Sequence, residues 1–436
     1  MKIRLNIFFI ASILLCAAAI SGENNESTED SNTGESSLYY TAGRTSGRQM
    51  PDGTLVKNLS GGVKARHLDA FLEAEEGEYI SNPSEIRFYG AASFKDSLRS
   101  LFADTLIYHE TNLEAFAIGN VTVIESGRLL FADRVRYLKD LRYIEAHGNV
   151  VIEDDSTSSS IRGIKAVFND STGHGLIIGK PYLRKEEDGS IMTATCADTL
   201  EILEEERLIR LWRDVAVTKD SLTMTCADTL EIFENEKIVK LWNNVIAIQG
   251  GLETSSERAV FADSTSTLTL TGNPELTYSI SETRDEAPSR LSTKSIISGD
   301  TINIQIKDRK FIGADVIGSA VSTTISTDTT GTLFDKSLIE SKDMSLVTYN
   351  DVISRISAEG TARSYYHRNE KKDNMKFVNS ASGDTLTFFF AGGKISEMRI
   401  FGFGGGLGKG KYYGYEPLET LADSSDSEIR EVAKPL

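Results

Sequence analysis

The sequence predicts an all-β protein, an elongated roll or solenoid built from about ten two-strand repeats of 29 to 43 residues. Three observations lead there. Only 7 Pro stand against 35 Gly in 436 residues, in a background of Thr, Ser, Val and Ile, which is the vocabulary of short strands and turns. Apolar residues alternate with polar ones at a period of two. One short text also recurs along most of the chain.

At the amino terminus, Lys2 and Arg4 precede an apolar run from Leu5 to Ile20, and Ala17 to Gly22 supplies small residues for cleavage. The run is shorter than the roughly 20 residues of a spanning helix, so residues 1–21 are expected to be a cleaved export signal. Cys16 follows Leu15, where a lipoprotein signal wants a small residue. Residues 22–54 are rich in Ser, Thr, Glu, Asn and Gly and are expected to form a disordered leader, because they bury too little to offset their ordering entropy.

The repeats occupy residues 55–280 in regular form. Leu101-Phe-Ala-Asp-Thr-Leu-Ile-Tyr108, Leu130-Phe-Ala-Asp-Arg-Val-Arg-Tyr137, Thr195-Cys-Ala-Asp-Thr-Leu-Glu-Ile202 and Thr225-Cys-Ala-Asp-Thr-Leu-Glu-Ile232 are copies of one unit. Anchored on their small residue, seven copies fall at Ala74, Ala103, Ala132, Gly163, Ala197, Ala227 and Ser256, and sixteen residues beyond each anchor lies a turn: Gly90, Gly119, Gly148, Gly179, Arg213, Asn243 and Gly272. Gly and Asn there supply the backbone freedom of a sharp corner. Three looser copies, at Gly299, Ser341 and Gly383, fill residues 281–410 with longer loops. Residues 411–436 read as a flexible acidic tail. Within a unit, Phe102, Asp104, Leu106 and Tyr108 are expected on one face, with Ala103, Thr105 and Ile107 on the other. The unit is strand, turn, strand, corner, and stacked units bury an interior that none could bury alone.

With 47 Lys+Arg against 64 Asp+Glu the formal charge is −17, which argues against a nucleic-acid partner. Five His and three Cys leave few ligands for a transition metal and few nucleophiles or neutral-pH bases. No catalytic residue, metal site or cofactor is expected.

The columns resemble the LptA/OstA-like (organic solvent tolerance A-like) repeats of the lipopolysaccharide-transport system. Ala103-Asp104 with Gly119-Asn120-Val121, and Ala132-Asp133 with Gly148-Asn149-Val150, carry the resemblance, which spans roughly Val56 to Gly404. It implies an open β-jellyroll in the periplasm that binds lipopolysaccharide acyl chains in an apolar groove. It further implies strand-edge addition to other jellyroll components, or to itself, in a bridge between inner and outer membranes. The chain departs from the family in having more units than a short bridge protein, and in lacking the long aromatic-girdled strand array of an outer-membrane barrel.

Under that resemblance the candidate lipid-binding residues are Leu106, Val135, Leu200, Leu230 and Ile302 on first strands, with Ile209 and Leu241 on second strands. Each buried methylene of a chain held there is worth about 0.8 kcal/mol, so binding needs surface, not chemistry. The recurring Asp104, Asp133, Asp198, Asp228, Asp300 and Asp384 read either as bonds to local backbone or as a carboxylate stack for calcium or polysaccharide chemistry; recurrence in so many copies favours the first. Cys196 and Cys226 share a column in successive copies and are disulfide candidates if rungs lie about 5 Å apart, with buried thiols as the alternative. Trp212 and Trp242 read as stacked packing residues. Gly402 to Gly408 reads as a closing turn, since no Gly-Lys-Ser/Thr follows. Two other classes stay open: a cell-surface structural or adhesive solenoid, whose inner face would be filled by large side chains, and a polysaccharide-acting enzyme.

Overall fold

The computed structural model describes residues 38–417, apart from 126, 156–157, 188, 221, 234, 284–289, 308–309, 329, 332, 350–351, 371–374, 392–393 and 403–408. The expected export signal and most of the leader and tail lie outside the described residues. Everything described is strand and turn, except one 3-10 turn at Asp263–Thr265. The ladders are antiparallel, as hairpin-connected strands require. The chain divides into two compact units, Phe8–Trp242 and Asn243–Leu436. The expected change of repeat length at residue 281 falls inside the second.

The long strands bend midway. In the meander Leu55–His67, Ala70–Ser81, Ser84–Lys95, Ser100–His109, Glu114–Glu125, Arg128–Leu138, Tyr143–Asp154 and Ser159–Asn169, the register slips at the same level in every ladder, for example between Tyr89 and Ala92 and between Ile118 and Val121. The cause is a pair of successive left-handed residues: Gly119 and Asn120 have φ of 80° and 47°, Gly148 and Asn149 of 76° and 46°. Gly takes that conformation freely and Asn tolerates it better than most residues. The corner also explains the Asp column. Asn120 Nδ2 donates to Asp104 Oδ2 at 2.9 Å and Asn149 Nδ2 to Asp133 at 3.1 Å, sixteen residues apart, and a Cβ on Gly119 or Gly148 would collide with the same carboxylates. The Asp therefore clips the next strand's corner, where local backbone bonding was expected.

The extra residue of each bulge lies on the strand that carries the left-handed pair, such as Gly119-Asn120, while on the facing strand two successive residues, Asp104 and Thr105, stay out of the core and the facing changes there. Leu101 and Ala103 point inward before the corner and Leu106 and Tyr108 after it, whereas Phe102 and Asp104 are exposed. The expectation that Phe102 and Asp104 share a face with Leu106 is corrected by those two successive outward residues at the corner.

In the Phe8–Trp242 unit the bend folds the meander into two layers that face each other. Phe94, beyond its strand's corner, meets Tyr108 and Tyr137 of the other layer at centroid separations of 6.1 and 5.8 Å. Phe88, Phe94, Leu72, Tyr108 and Tyr137 are among the largest fully buried side chains. The Asn243–Leu436 unit uses the same device, with Gly318-Ser319 at φ 74° and 51° and Gly360-Thr361 at 82° and 56°, in longer strands, Lys310–Asp328, Leu333–Tyr349, Val352–Glu370 and Met375–Ala391. On one side of its corners the buried face is apolar, with Ile302, Ile304, Val316 and Leu346; on the other it carries Ser295, Ser322, Ser326 and Asp328.

Folding begins earlier and ends later than the sequence indicates. Tyr39–Thr41 and Arg44–Gln49 pair with Leu55–His67, and Lys409–Pro417 pairs with Met375–Ala391. All six residues of Arg44–Gln49 are exposed, so that strand is held by its backbone and leaves no apolar alternation to read.

Candidate functional site: the interior and its mouth

The ladders place five of the seven expected lipid-binding residues in one row. Along it run Phe88, Leu106, Ala117, Val135, Ala146, Ala166, Ile177, Leu200, Leu211, Leu230 and Leu241, each opposite the next on a neighbouring strand. Ile209 belongs to the adjacent row, between Ile202 and Ile232. Ile302 sits in the second unit, between Leu270 and Val316. All seven are at most 3% exposed.

The row is covered. Cavities against it measure about 40 Å³, beside Leu130, Ile144 and Phe168, and about 10 Å³, beside Phe168, Gly175 and Ile202. The larger holds little more than a water molecule, whose share of liquid volume is about 30 Å³. The interior of this unit is a packed core, filled by Phe94, Tyr108, Tyr137 and Phe168.

Corners close one edge of the two layers. At the opposite edge, the mouth, turns of the two layers approach, and a file of polar side chains joins them. His67 Nδ1 lies 2.8 Å from the Tyr108 hydroxyl. The Tyr137 hydroxyl donates to Asp96 Oδ2 at 3.0 Å, and Asp96 Oδ1 also accepts the Leu98 and Arg99 backbone N–H groups. Arg99, its side chain wholly buried, stacks over the Tyr137 ring at 4.5 Å and pairs with Glu125 at 3.0 Å and with Asp170 of the other layer at 2.5 Å. Lys139 pairs with Asp69 across the same edge. Burial raises the Tyr108 and Tyr137 hydroxyl pKa values, so both stay protonated donors. Burial also raises the Glu125 carboxyl, outweighing the Arg99 charge, and lowers the Lys139 ammonium. Among the described residues Arg99 Nε and Nη1 have no hydrogen-bond partner.

None of these mouth residues was singled out from sequence, although a signal exists. His67, Asp96, Glu125 and Asp154 recur every 29 residues, as do Tyr108 and Tyr137, so the latches are repeat columns with polar members. On the outer face, cross-strand pairs such as Arg210 with Glu201 and Glu231 form a charge ladder that is partly solvated and worth little per pair.

The Cys196–Cys226 bridge is not what the register allows. Thr195 pairs with Ala216 and Val215 with Cys226, so the strand Val215–Lys219 separates the two columns by two strand spacings, about 9–10 Å, wider than a disulfide reaches. Both are buried free thiols, each donating to a Thr carbonyl, and burial pushes Cys226 up to about 11. Trp212 lies on the outer face and the Trp242 indole donates to Glu231 at 3.4 Å. Among the described residues no group of three His, Cys, Asp or Glu is placed to hold a metal ion, and no helix is long and apolar enough to cross a membrane.

No protein-family model matches the chain, and no curated protein matches it. Among solved structures, the chain is similar to LptH from Pseudomonas aeruginosa, described as the LptA-homologous periplasmic component of the conserved lipopolysaccharide transport device. The identity is 15%, over 26% of this chain and 82% of that one, at a TM-score of 0.23.

Proposed function

We propose that the protein is a periplasmic, exported lipid carrier that binds lipopolysaccharide acyl chains between its two layers and forms part of a β-jellyroll bridge between inner and outer membranes. The observation that carries this reading is the unbroken apolar row from Phe88 to Leu241, which crosses eleven strands at one level. A path of that kind suits an acyl chain, which is recognised by area alone. Partners would join by strand addition. Among the described residues Arg44–Gln49 pairs only with Leu55–Ser60, leaving a polar edge for another jellyroll or for a second copy.

A second reading, a structural or adhesive solenoid, is favoured by the filling of that interior with Tyr and Phe. Mass spectrometry of lipids retained by the protein purified from its native envelope separates the two. Stoichiometric acylated lipid supports the carrier; its absence, with the protein folded by circular dichroism, leaves the structural solenoid.

A further inference from the structure

We infer that the mouth between the two layers of the Phe8–Trp242 unit is the entry seam for an apolar chain, held shut by the bonds His67–Tyr108, Asp96–Tyr137, Arg99–Asp170 and Asp69–Lys139. The inference rests on the carrier reading and says where and how the interior opens.

The cavities described against the apolar row, of about 10 and 40 Å³, are too small for a chain. Something must part. The corner edge cannot, because every strand passes through it covalently and ladder hydrogen bonds flank it on both sides. The layers themselves are continuous antiparallel ladders, and opening one would strand a row of backbone donors and acceptors. The mouth is different. Among the described residues what crosses it is side chain only, in discrete bonds between residues 41 or about 70 apart in sequence. The bonds are also incomplete, since two nitrogens of the buried Arg99, Nε and Nη1, have no hydrogen-bond partner among the described residues. The rim is apolar where solvent would favour polar residues: Leu68 and Leu98 on turns of one layer and Leu141 on a turn of the other are 48%, 41% and 60% exposed. These three leucines flank the latches and give an arriving chain its first apolar contact. Once the latches release, the chain meets Tyr108, Phe94 and Tyr137 first and the Leu106–Val135 row beneath them.

The test uses the full mature protein and dansyl-undecanoic acid, a single-chain fatty acid whose fluorescence rises in apolar surroundings. Asp69→Cys/Lys139→Cys places thiols at an exposed latch, to be bridged by oxidation or by a short bis-maleimide. Reduced, this variant has lost one latch and should take up the probe at least as tightly as wild type; bridged, it should bind at least ten-fold more weakly than its own reduced form, with wild type under the same reagent as control. Tyr108→Phe/Tyr137→Phe keeps the packing and removes two latch hydroxyls. Because apparent affinity scales with the open fraction, it should bind the probe about ten-fold more tightly. Equal uptake by bridged and reduced protein overturns the seam and leaves the carrier reading standing, as does unchanged affinity in the Tyr→Phe variant. No uptake by any form, wild type included, overturns the carrier reading itself and the seam with it.

Discussion

The two units share a way of bending and differ in what fills the bend. In Phe8–Trp242, strands of about a dozen residues close on Phe94, Tyr108 and Tyr137, with a buried Arg99 at the mouth. In Asn243–Leu436, strands of 17 to 19 residues carry Ser295, Ser322 and Ser326 on one half of the buried face, where hydroxyls pair across strands: Thr293 with Ser326 at 2.9 Å and Ser295 with Thr324 at 2.9 Å. The bend is a backbone matter, set by two left-handed residues. The filling is a side-chain matter and is free to vary once the bend is made. The first unit has the apolar area that dominates stability, and the second satisfies small polar groups at about 1 kcal/mol per bond.

That contrast is most easily broken at the apolar row. Leu106→Asp or Leu200→Asp puts an unpaired charge in the sealed interior and should unfold the first unit outright, a loss above about 4 kcal/mol. Hydrogen exchange resolved by peptide should then show protection lost between residues 55 and 242 and kept in the strands from 310 to 391. Arg99→Met comes next. It leaves Glu125 and Asp170 buried without their cation and should cost about 3–5 kcal/mol in urea denaturation. Ser322→Ala in the second unit, although only 2% exposed, removes one hydroxyl and should cost about 1 kcal/mol or less.

The shared corner predicts equal effects in the two units. Gly119→Ala and Gly318→Ala each force a side chain into a left-handed position against the carboxylate of Asp104 or Asp300, and each should cost about 1–3 kcal/mol. A loss in one unit only would mean that the bend is not a common device.

The smallest effect is at Glu125. Its carboxyl is raised above the usual range by burial, so the fold favours the protonated form. Its contribution is therefore most favourable at acid pH and is lost as pH rises through the raised value. Glu125→Gln removes that loss while keeping an acceptor for Arg99. It should be as stable as wild type near pH 4 and more stable by up to about 1 kcal/mol at pH 8, in paired denaturation curves.

What the sequence reveals follows the same division. The repeat text marks the corners, because Gly119-Asn120 and Gly148-Asn149 are chosen for their backbone conformation and recur wherever the bend does. Leu106, Val135, Leu200, Leu230 and Leu241 share a level because first and second strands were both phased on those corners. The facing of Phe102 and Asp104 differs from that of Leu106 because two successive residues at the corner stay out of the core, which a period of two does not announce. Cys196 and Cys226 were placed on adjacent rungs, because a shared column says nothing of the strand that runs between its members. Arg44–Gln49 joins a sheet by backbone alone. The latches are not legible as a motif because His67, Asp96 and Glu125 hold one column with three different side chains.

A single strand added to such a meander would reverse the direction of every strand after it and set Gly-Asn corners where Ala-Asp clips belong. A pair of strands, some thirty residues, restores direction, facing and corner type together. Length in this protein therefore comes in steps. A gene that gains or loses one copy of Ala103 to Phe131 still encodes a closed meander, whereas one that gains half a copy does not, so duplication can lengthen the chain without any new solution to the folding problem.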